Sequence, residues 1–453
     1  MISNWLYKIK LKTYLILTLS FFGSIDDSFA LVNPIDQKMV FASPGTFDQR
    51  IYSYDMAVDI NDDVHVVYSR PTTTGPDIIG YQRRIGGIWQ NETIISNDGL
   101  RSSISSHIAI DSNKNVYISY LSDSQQSLYY IKVFNGLVGQ KSLVDIGAWN
   151  TVMQLDAKSL PIFIREGQSP PWTANNYQLK LVSTNNGGKS WISSFLNLPQ
   201  VNTYPSLARY RLGDFIYAAG KYNIIYGDNG YQKTILNGKD AKTYTKAYFH
   251  DLIYANSTDG VNWQTYPVDN SKRLNEMEFW VSLAMDGNKA ITGVYQYAEY
   301  NNSYNNGTRA HLAQITPSKI QDVYTNTGVT WPATREGAGI GLLVSEPGNY
   351  LGAWDFSPDY PYNMKFNATD GNIALARNGT DNLWKEKISI APYSAEGRVL
   401  LRQSNKNNLH ILVLGDYLNT KLYYQEFNML TINASFKANR GFNLILFLPA
   451  IIH

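Results

Sequence analysis

Met56-Ala-Val-Asp59-Ile-Asn-Asp-Asp-Val-His65-Val-Val-Tyr68 and Ile108-Ala-Ile-Asp111-Ser-Asn-Lys-Asn-Val-Tyr117-Ile-Ser-Tyr120 are two copies of one pattern. Each is a short apolar strand, a polar turn, and a second strand rich in β-branched and aromatic residues. Period-two alternation on either side of a polar turn is how an antiparallel hairpin reads in sequence. Further copies begin at Gln154-Leu-Asp156 and Leu283-Ala-Met-Asp286-Gly287, with degenerate ones at Leu207-Ala-Arg209, Leu342-Leu-Val344 and Leu400-Leu-Arg402. The copies recur at intervals of about 50 residues, too short a unit to bury a core alone, so they must stack on one another.

Each copy is followed by a second hairpin with its own signature: an apolar-aromatic strand, a Gly/Asn turn, then Trp or an aliphatic residue. Ile78-Ile-Gly-Tyr81 with Gly86-Gly87-Ile-Trp89, and Leu179-Lys-Leu-Val182 with Gly187-Gly188-Lys-Ser-Trp191, are clear examples. Four antiparallel strands per unit, repeated radially, make a β-propeller blade. The expected fold is all-β, a propeller of about seven blades, or six where a degenerate copy is an insertion. Blade starts are expected near residues 50, 101, 149, 203, 278, 335 and 396, with Met39-Val-Phe41 completing the last blade. Residues 227–246 read as a long loop, and no sustained helical stripe follows the leader.

That leader is residues 1–30. Lys8, Lys10 and Lys12 precede the apolar run Tyr14–Phe22, and Ser28-Phe29-Ala30 offers small residues for a signal peptidase. The run is short for a membrane span, which needs roughly 20 residues. The expected organisation is therefore a signal peptide (1–30), one propeller domain (31–441) and a short apolar tail (442–453). The chain has no cysteine, which suits a secreted or periplasmic bacterial protein better than a disulfide-bearing extracellular one. A net charge of +2, with 17% charged residues and no basic block, argues against nucleic-acid binding.

Thr184-Asn-Asn186-Gly-Gly188-Lys-Ser190-Trp191 and the shorter Ser257-Thr-Asp259-Gly260-Val-Asn-Trp263 resemble the Asp-box of sialidase-like (BNR-repeat) propellers. The resemblance implies an outer-hairpin turn in which an amide or carboxylate holds backbone donors and Trp packs into the blade. It also implies a glycan as partner. Sialidases use an arginine triad, a Tyr nucleophile assisted by Glu, and an Asp acid/base. Glu278, in Glu278-Phe-Trp-Val-Ser-Leu-Ala-Met-Asp286, resembles the segment carrying that Glu. Where the family then has Arg, this chain has Val294-Tyr295-Gln296, and the early Phe-Arg-Ile-Pro signature is missing.

Residues just ahead of each innermost strand line the mouth of a propeller's channel. Arg50, Arg101 and Arg335 fall at comparable positions, and converging guanidiniums suit a carboxylate or sulfate on a sugar. Tyr54 and Trp149 join them as sugar-contacting aromatics, with Trp172 and Trp354 as further stacking candidates. His107 opens an inner strand; with Tyr54 or Tyr204 it resembles the His/Tyr pair of propeller polysaccharide lyases, which abstract a proton beside a uronate carboxylate. The catalytic candidates are thus Glu278, His107 and Tyr204. His65 and His410 read as packing residues, and no metal cluster or cofactor fingerprint stands out. Asp59-x-Asn61-x-Asp63 and Asp111-x-Asn113-x-Asn115 lack the Gly and Glu of a calcium loop and read as Asx turns. Two functions remain: a glycan-cleaving enzyme of hydrolase or lyase type, or a non-catalytic lectin or protein-interaction propeller.

Overall fold

The computed structural model describes residues 32–43, 51, 53–100, 105–122, 124–168, 177–198, 210–232, 248–267, 276–298, 307–316, 319–325, 335–336, 341–357, 372–378, 384–389, 399–414 and 421–436. They form a β-propeller of seven blades. The innermost strands are Tyr54–Val58 (blade 1), His107–Ile110 (blade 2), Ala148–Leu155 (blade 3) and Tyr210–Ala218 (blade 4). Glu276–Asp286, Gly341–Glu346 and Leu400–Gln403 follow in blades 5, 6 and 7. Each inner strand contacts the next, and the seventh meets the first, so the ring is closed.

Blade 7 is built from both ends of the chain. Its outermost strand, Asp36–Ala42, pairs antiparallel with Lys421–Asn428. The Met39-Val-Phe41 segment therefore closes the ring as the sequence suggested.

The inner hairpins turn on side-chain carboxylates. Asp59 Oδ1 accepts the amides of Asn61 at 2.8 Å and Asp63 at 2.9 Å. Asp111 does the same for Asn113 and Asn115, and Asp156 for Lys158 and Leu160. The turn needs one left-handed residue, supplied without glycine by Asp62 (φ 75°), Lys114 (φ 62°) and Ser159 (φ 59°).

Blade 4 turns differently, on Ala219 and Gly220, both with positive φ. A two-residue hairpin of this kind carries no Asp signature. The copy in blade 4 accordingly starts later than Leu207-Ala-Arg209, which lies outside the described residues. The next strand of that blade, Lys221–Gln232, also runs deep into the expected loop and pairs with Tyr248–Ser257. Residues 233–247 lie outside the described set.

The core is not one mass but a series of wedges between neighbouring blades. Val40, Met56, Val66, Tyr68, Leu412 and Tyr424 fill the space between blades 7 and 1. Ile79, Tyr81, Ile118 and Tyr120 fill that between blades 1 and 2, and Tyr130, Met153 and Phe163 that between blades 2 and 3. Between blades 6 and 7 the wedge is finished by a helix over residues 429–436, which the sequence reading missed. Met429, Ile432 and Phe436 are its buried residues, a helical spacing too short to register as a stripe.

Met39 and Val40 point to opposite sides of the closing strand, 47% and 5% exposed respectively. Val40→Asp should cost several kcal/mol by placing an unpaired charge in the wedge, of order 3 kcal/mol or more. Met39→Asp should stay within about 0.5 kcal/mol of the parent. Denaturant unfolding of the two variants checks this; equal losses would mean that the strand is not seated as described.

Candidate functional site

A radial sheet leaves the inner strand of every blade with one edge that has no ladder partner. Those edges face the propeller axis. They bound a cavity of about 420 Å³ lined by residues from all seven inner strands. Its polar side chains include Asp55, His107, Gln154, Asp214, Ser282 and Arg402.

Asp55 is the hub. Its Oδ1 accepts the amide of Met56 at 2.8 Å and an N–H of Arg402 at 3.2 Å. Its Oδ2 accepts the amide of Ile108 at 3.2 Å and faces His107 Nδ1 at 3.4 Å. One carboxylate thus ties together blades 7, 1 and 2. Burial works against its charge, but the His107 hydrogen bond and the Arg402 guanidinium outweigh it and hold the carboxyl below its usual value. Asp214 is placed by the same logic in blade 4: it accepts the amides of Phe215 and, across to blade 5, Leu283, both at 2.9 Å.

His107 is 7% exposed, and both its ring nitrogens face acceptors: Nδ1 the Asp55 carboxylate, Nε2 the Thr151 carbonyl. A general base needs a lone pair turned to substrate, and in this geometry both nitrogens are committed to protein acceptors.

Arg402 differs. Its side chain is 40% exposed although it lies in the cavity. Sequence reasoning noted Leu400-Leu-Arg402 only as a degenerate repeat. The signal lay in the register: Arg402 precedes its turn residue, Ser404, by two, as Ala57 precedes Asp59 and Ala109 precedes Asp111.

The other expected site residues are distributed as follows. Trp149 is the second residue of the inner strand of blade 3 and is 43% exposed. Tyr54 packs against the wedge between blades 7 and 1. Glu278 lies in the inner strand of blade 5, paired with Gln296, and Arg335 pairs with Ser357 in blade 6. Only the backbone is described at Glu278, Arg335 and Trp354. Arg50, Arg101, Trp172 and Tyr204 lie outside the described residues.

The two Asp-box-like turns sit on the outer hairpins of blades 3 and 4, away from the cavity. Thr184 Oγ1 and Asn186 Oδ1 accept the amides of Gly188 and Ser190 at 3.0 Å. Trp191 reaches back to blade 2, donating to Ser142 Oγ at 3.2 Å. In blade 4, Asp259 Oδ1 accepts the amides of Val261 and Asn262, both at 2.8 Å.

One cluster of metal-ligand type does assemble, at the seam between blades 7 and 1: Asp62, His410 and Glu426 have ligand atoms within 4.8 Å of one another. Their positions, 348 residues apart for Asp62 and His410, kept it out of the sequence reading. Its atoms are engaged with one another and with neighbours. His410 Nε2 lies 2.9 Å from Asp62, while Glu426 takes Asn408 at 2.7 Å and Arg84 at 2.8 Å. Burial raises the Glu426 carboxyl; Arg84 opposes the shift, and Asp62 and Asp36 add to it. The arrangement is a polar latch across the seam.

No protein-family model and no curated protein sequence matches the chain. Solved structures do resemble it. A PL25 ulvan lyase bound to -[GlcA(1-4)Rha3S]- aligns with TM-score 0.58 at 9% identity, over 87% of this chain and 96% of that one. The polysaccharide lyase Uly1 aligns with TM-score 0.53 at 9% identity, over 88% and 100%. An α-L-arabinanase of Penicillium chrysogenum, complexed with arabinobiose, aligns with TM-score 0.47 at 11% identity, over 87% and 98%. At these identities the likeness is one of fold.

Because Asp55 titrates lower when folded, its contribution is complete above the unfolded value of about 3.9 and is lost as pH falls through the folded value. Asp55→Asn should destabilise the protein by about 3–5 kcal/mol at neutral pH, as for one partner of a buried pair. The gap between variant and parent should narrow as pH drops below about 4. Unfolding temperature followed against pH checks this; a gap independent of pH would remove Asp55 from its ionised role.

Proposed function

We propose that the protein is an exported propeller that recognises an acidic glycan at the mouth of its axial cavity. The observation that carries the reading is the convergence of charged and polar side chains from several blades on one axial cavity. A concave site with a few convergent polar groups is the usual form of a ligand pocket. The likeness in fold to a polysaccharide lyase bound to a glucuronate-rhamnose sulfate supports a sugar, and an acidic one. Trp149, half exposed beside this region of blade 3, offers a face for a sugar ring. The Asp-box-like turns at Thr184–Trp191 and Ser257–Trp263 support the sialidase-like class for the scaffold. Export rests on the leader pattern of residues 1–30, and the mature chain should begin at Leu31.

Cleavage is the second reading, favoured by the His107–Asp55 pair beside Arg402. In an elimination, a base takes the proton beside a uronate carboxylate, the glycosidic C–O bond on the adjacent carbon breaks as a C=C bond forms, and the departing oxygen takes up a proton to leave as a hydroxyl. For His107 to act so, its Nε2 must first leave the Thr151 carbonyl. Tyr204 is the expected partner of His107 in that elimination, and Glu278 with a nearby Tyr is the corresponding candidate for a hydrolytic route.

Calorimetric titration of the mature protein with polyuronates, sulfated polysaccharides and neutral polymers tests recognition. The acidic polymers should bind at least about tenfold tighter, a difference of 1.4 kcal/mol. Absence of binding to every polymer would overturn the proposal. Ultraviolet absorbance of the same mixtures reads elimination. Product formed by the parent and abolished in His107→Ala, with a folded circular-dichroism spectrum retained, supports the lyase. Binding without product supports the lectin.

A further inference from the structure

Two rings of side chains line the axial cavity, and the repeat register identifies them. Four residues before the turn residues Asp59, Asp111, Asp156, Asp286 and Ser404 stand Asp55, His107, Val152, Ser282 and Leu400. Two residues before the same turns stand Ala57, Ala109, Gln154, Ala284 and Arg402. Strand side chains alternate, so residues two apart share a face. The second ring therefore holds three alanines, an amide and one cation. The alanines leave space, and Arg402 occupies the only blade among these five with a long charged side chain.

The electrostatics of the cavity single out the same residue. Asp55 is surrounded by N–H donors from four residues, and Asp214 receives two backbone amides. Both carboxylates are spent on the scaffold. Arg402 gives one N–H to the Leu401 carbonyl at 2.9 Å and one to Asp55 at 3.2 Å. A guanidinium has five N–H donors, so three remain without a protein partner among the described residues. It is also the only Lys or Arg of the described lining. Asp55 and the Leu401 carbonyl fix two N–H groups of the guanidinium while the other three stay open among the described residues, an arrangement that suits capture of a two- or three-oxygen anion.

We propose that Arg402 is the specificity-determining residue of the cavity, receiving a single oxyanion substituent, carboxylate or sulfate, of the bound glycan. This rests on the proposed glycan function and assigns its acid preference to one side chain. Asp55 acts as the positioning residue that holds the guanidinium.

The competing role for Arg402 is a strut that closes blade 7 on blade 1 through Asp55. Binding and stability separate the two. Dissociation constants are measured for oligosaccharides bearing only carboxylates, only sulfates, or neither, with the parent and Arg402→Gln. In the variant, preference for acidic over neutral ligand should fall by about 10–100-fold, consistent with 1.5–3 kcal/mol for a charged hydrogen bond, while neutral binding stays within about twofold. The two acidic series show whether carboxylate or sulfate is preferred. A lower unfolding temperature in Arg402→Gln with the acid preference intact would reduce Arg402 to a strut and overturn the proposal.

Inorganic sulfate gives a test independent of any glycan. It should raise the unfolding temperature of the parent more than that of Arg402→Gln at matched ionic strength. If no glycan binds but this difference stands, the glycan reading fails and the oxyanion site survives. Equal shifts in both proteins would remove the site itself.

Discussion

The inner strands of seven blades arranged around an axis form no ladder with one another, and that geometry governs the rest of the molecule. Each inner strand keeps one edge of backbone N–H and C=O groups without ladder partners, and buried donors left unpaired cost about 1–3 kcal/mol each. The chain answers with side chains from the neighbouring blade. Ser53 accepts the Ser106 amide, Asp55 that of Ile108, Ser105 that of Thr151, Glu166 that of Leu212 and Asp214 that of Leu283. The polar groups around the channel are present first because the ring needs them. A ligand site at the axis is then built from residues already fixed in position.

The wedges between blades show the same economy in a different chemistry. His65 pairs with Tyr81 OH at 2.7 Å in blade 1, and His410 with Tyr424 OH at 2.8 Å in blade 7. Blade 4 places Asn223 against Tyr254 OH at 2.7 Å, and blade 2 stacks Tyr117 on Tyr130. Four blades thus use one device: a second-strand side chain against a third-strand tyrosine. Burial drives the His65 imidazole down to about 4, so it stays neutral as a packing group. At the closing seam the device is extended, because His410 also reaches Asp62 of blade 1. Both packing histidines are what the sequence suggested, but the partner that makes His410 a latch was not visible there.

Legibility in this chain tracked how local the interaction is. The Asx turns at Asp59 and Asp111 were readable because the carboxylate and the amides it accepts lie within four residues. The Thr184–Trp191 turn was readable for the same reason. Blade 4 was misplaced because its hairpin turns on Ala219-Gly220 and leaves no polar signature. The helix over residues 429–436 was missed because its three buried residues span barely two turns, and its stability comes from packing against strands of blades 6 and 7. The Asp55–Arg402 and Asp62–His410 pairs join blades 1 and 7 across most of the chain. No spacing rule predicts such a pair until the ring is known to close.

Once closure is known, the repeat itself becomes a detector of function. Equivalent positions in a symmetric ring meet nearly equivalent surroundings, so packing alone would select similar residues at each. Ala57, Ala109 and Ala284 obey that expectation. Arg402 does not, and neither does the change from Asp55 and His107 to Val152 and Leu400 in the ring above. A charge at one position of a quasi-symmetric set has no packing reason to be there, and desolvating it costs stability. Closure of the last blade accounts for one face of the Arg402 guanidinium through Asp55. It does not account for the face that remains open to the cavity, and a residue that only closed a seam would be better placed with that face buried.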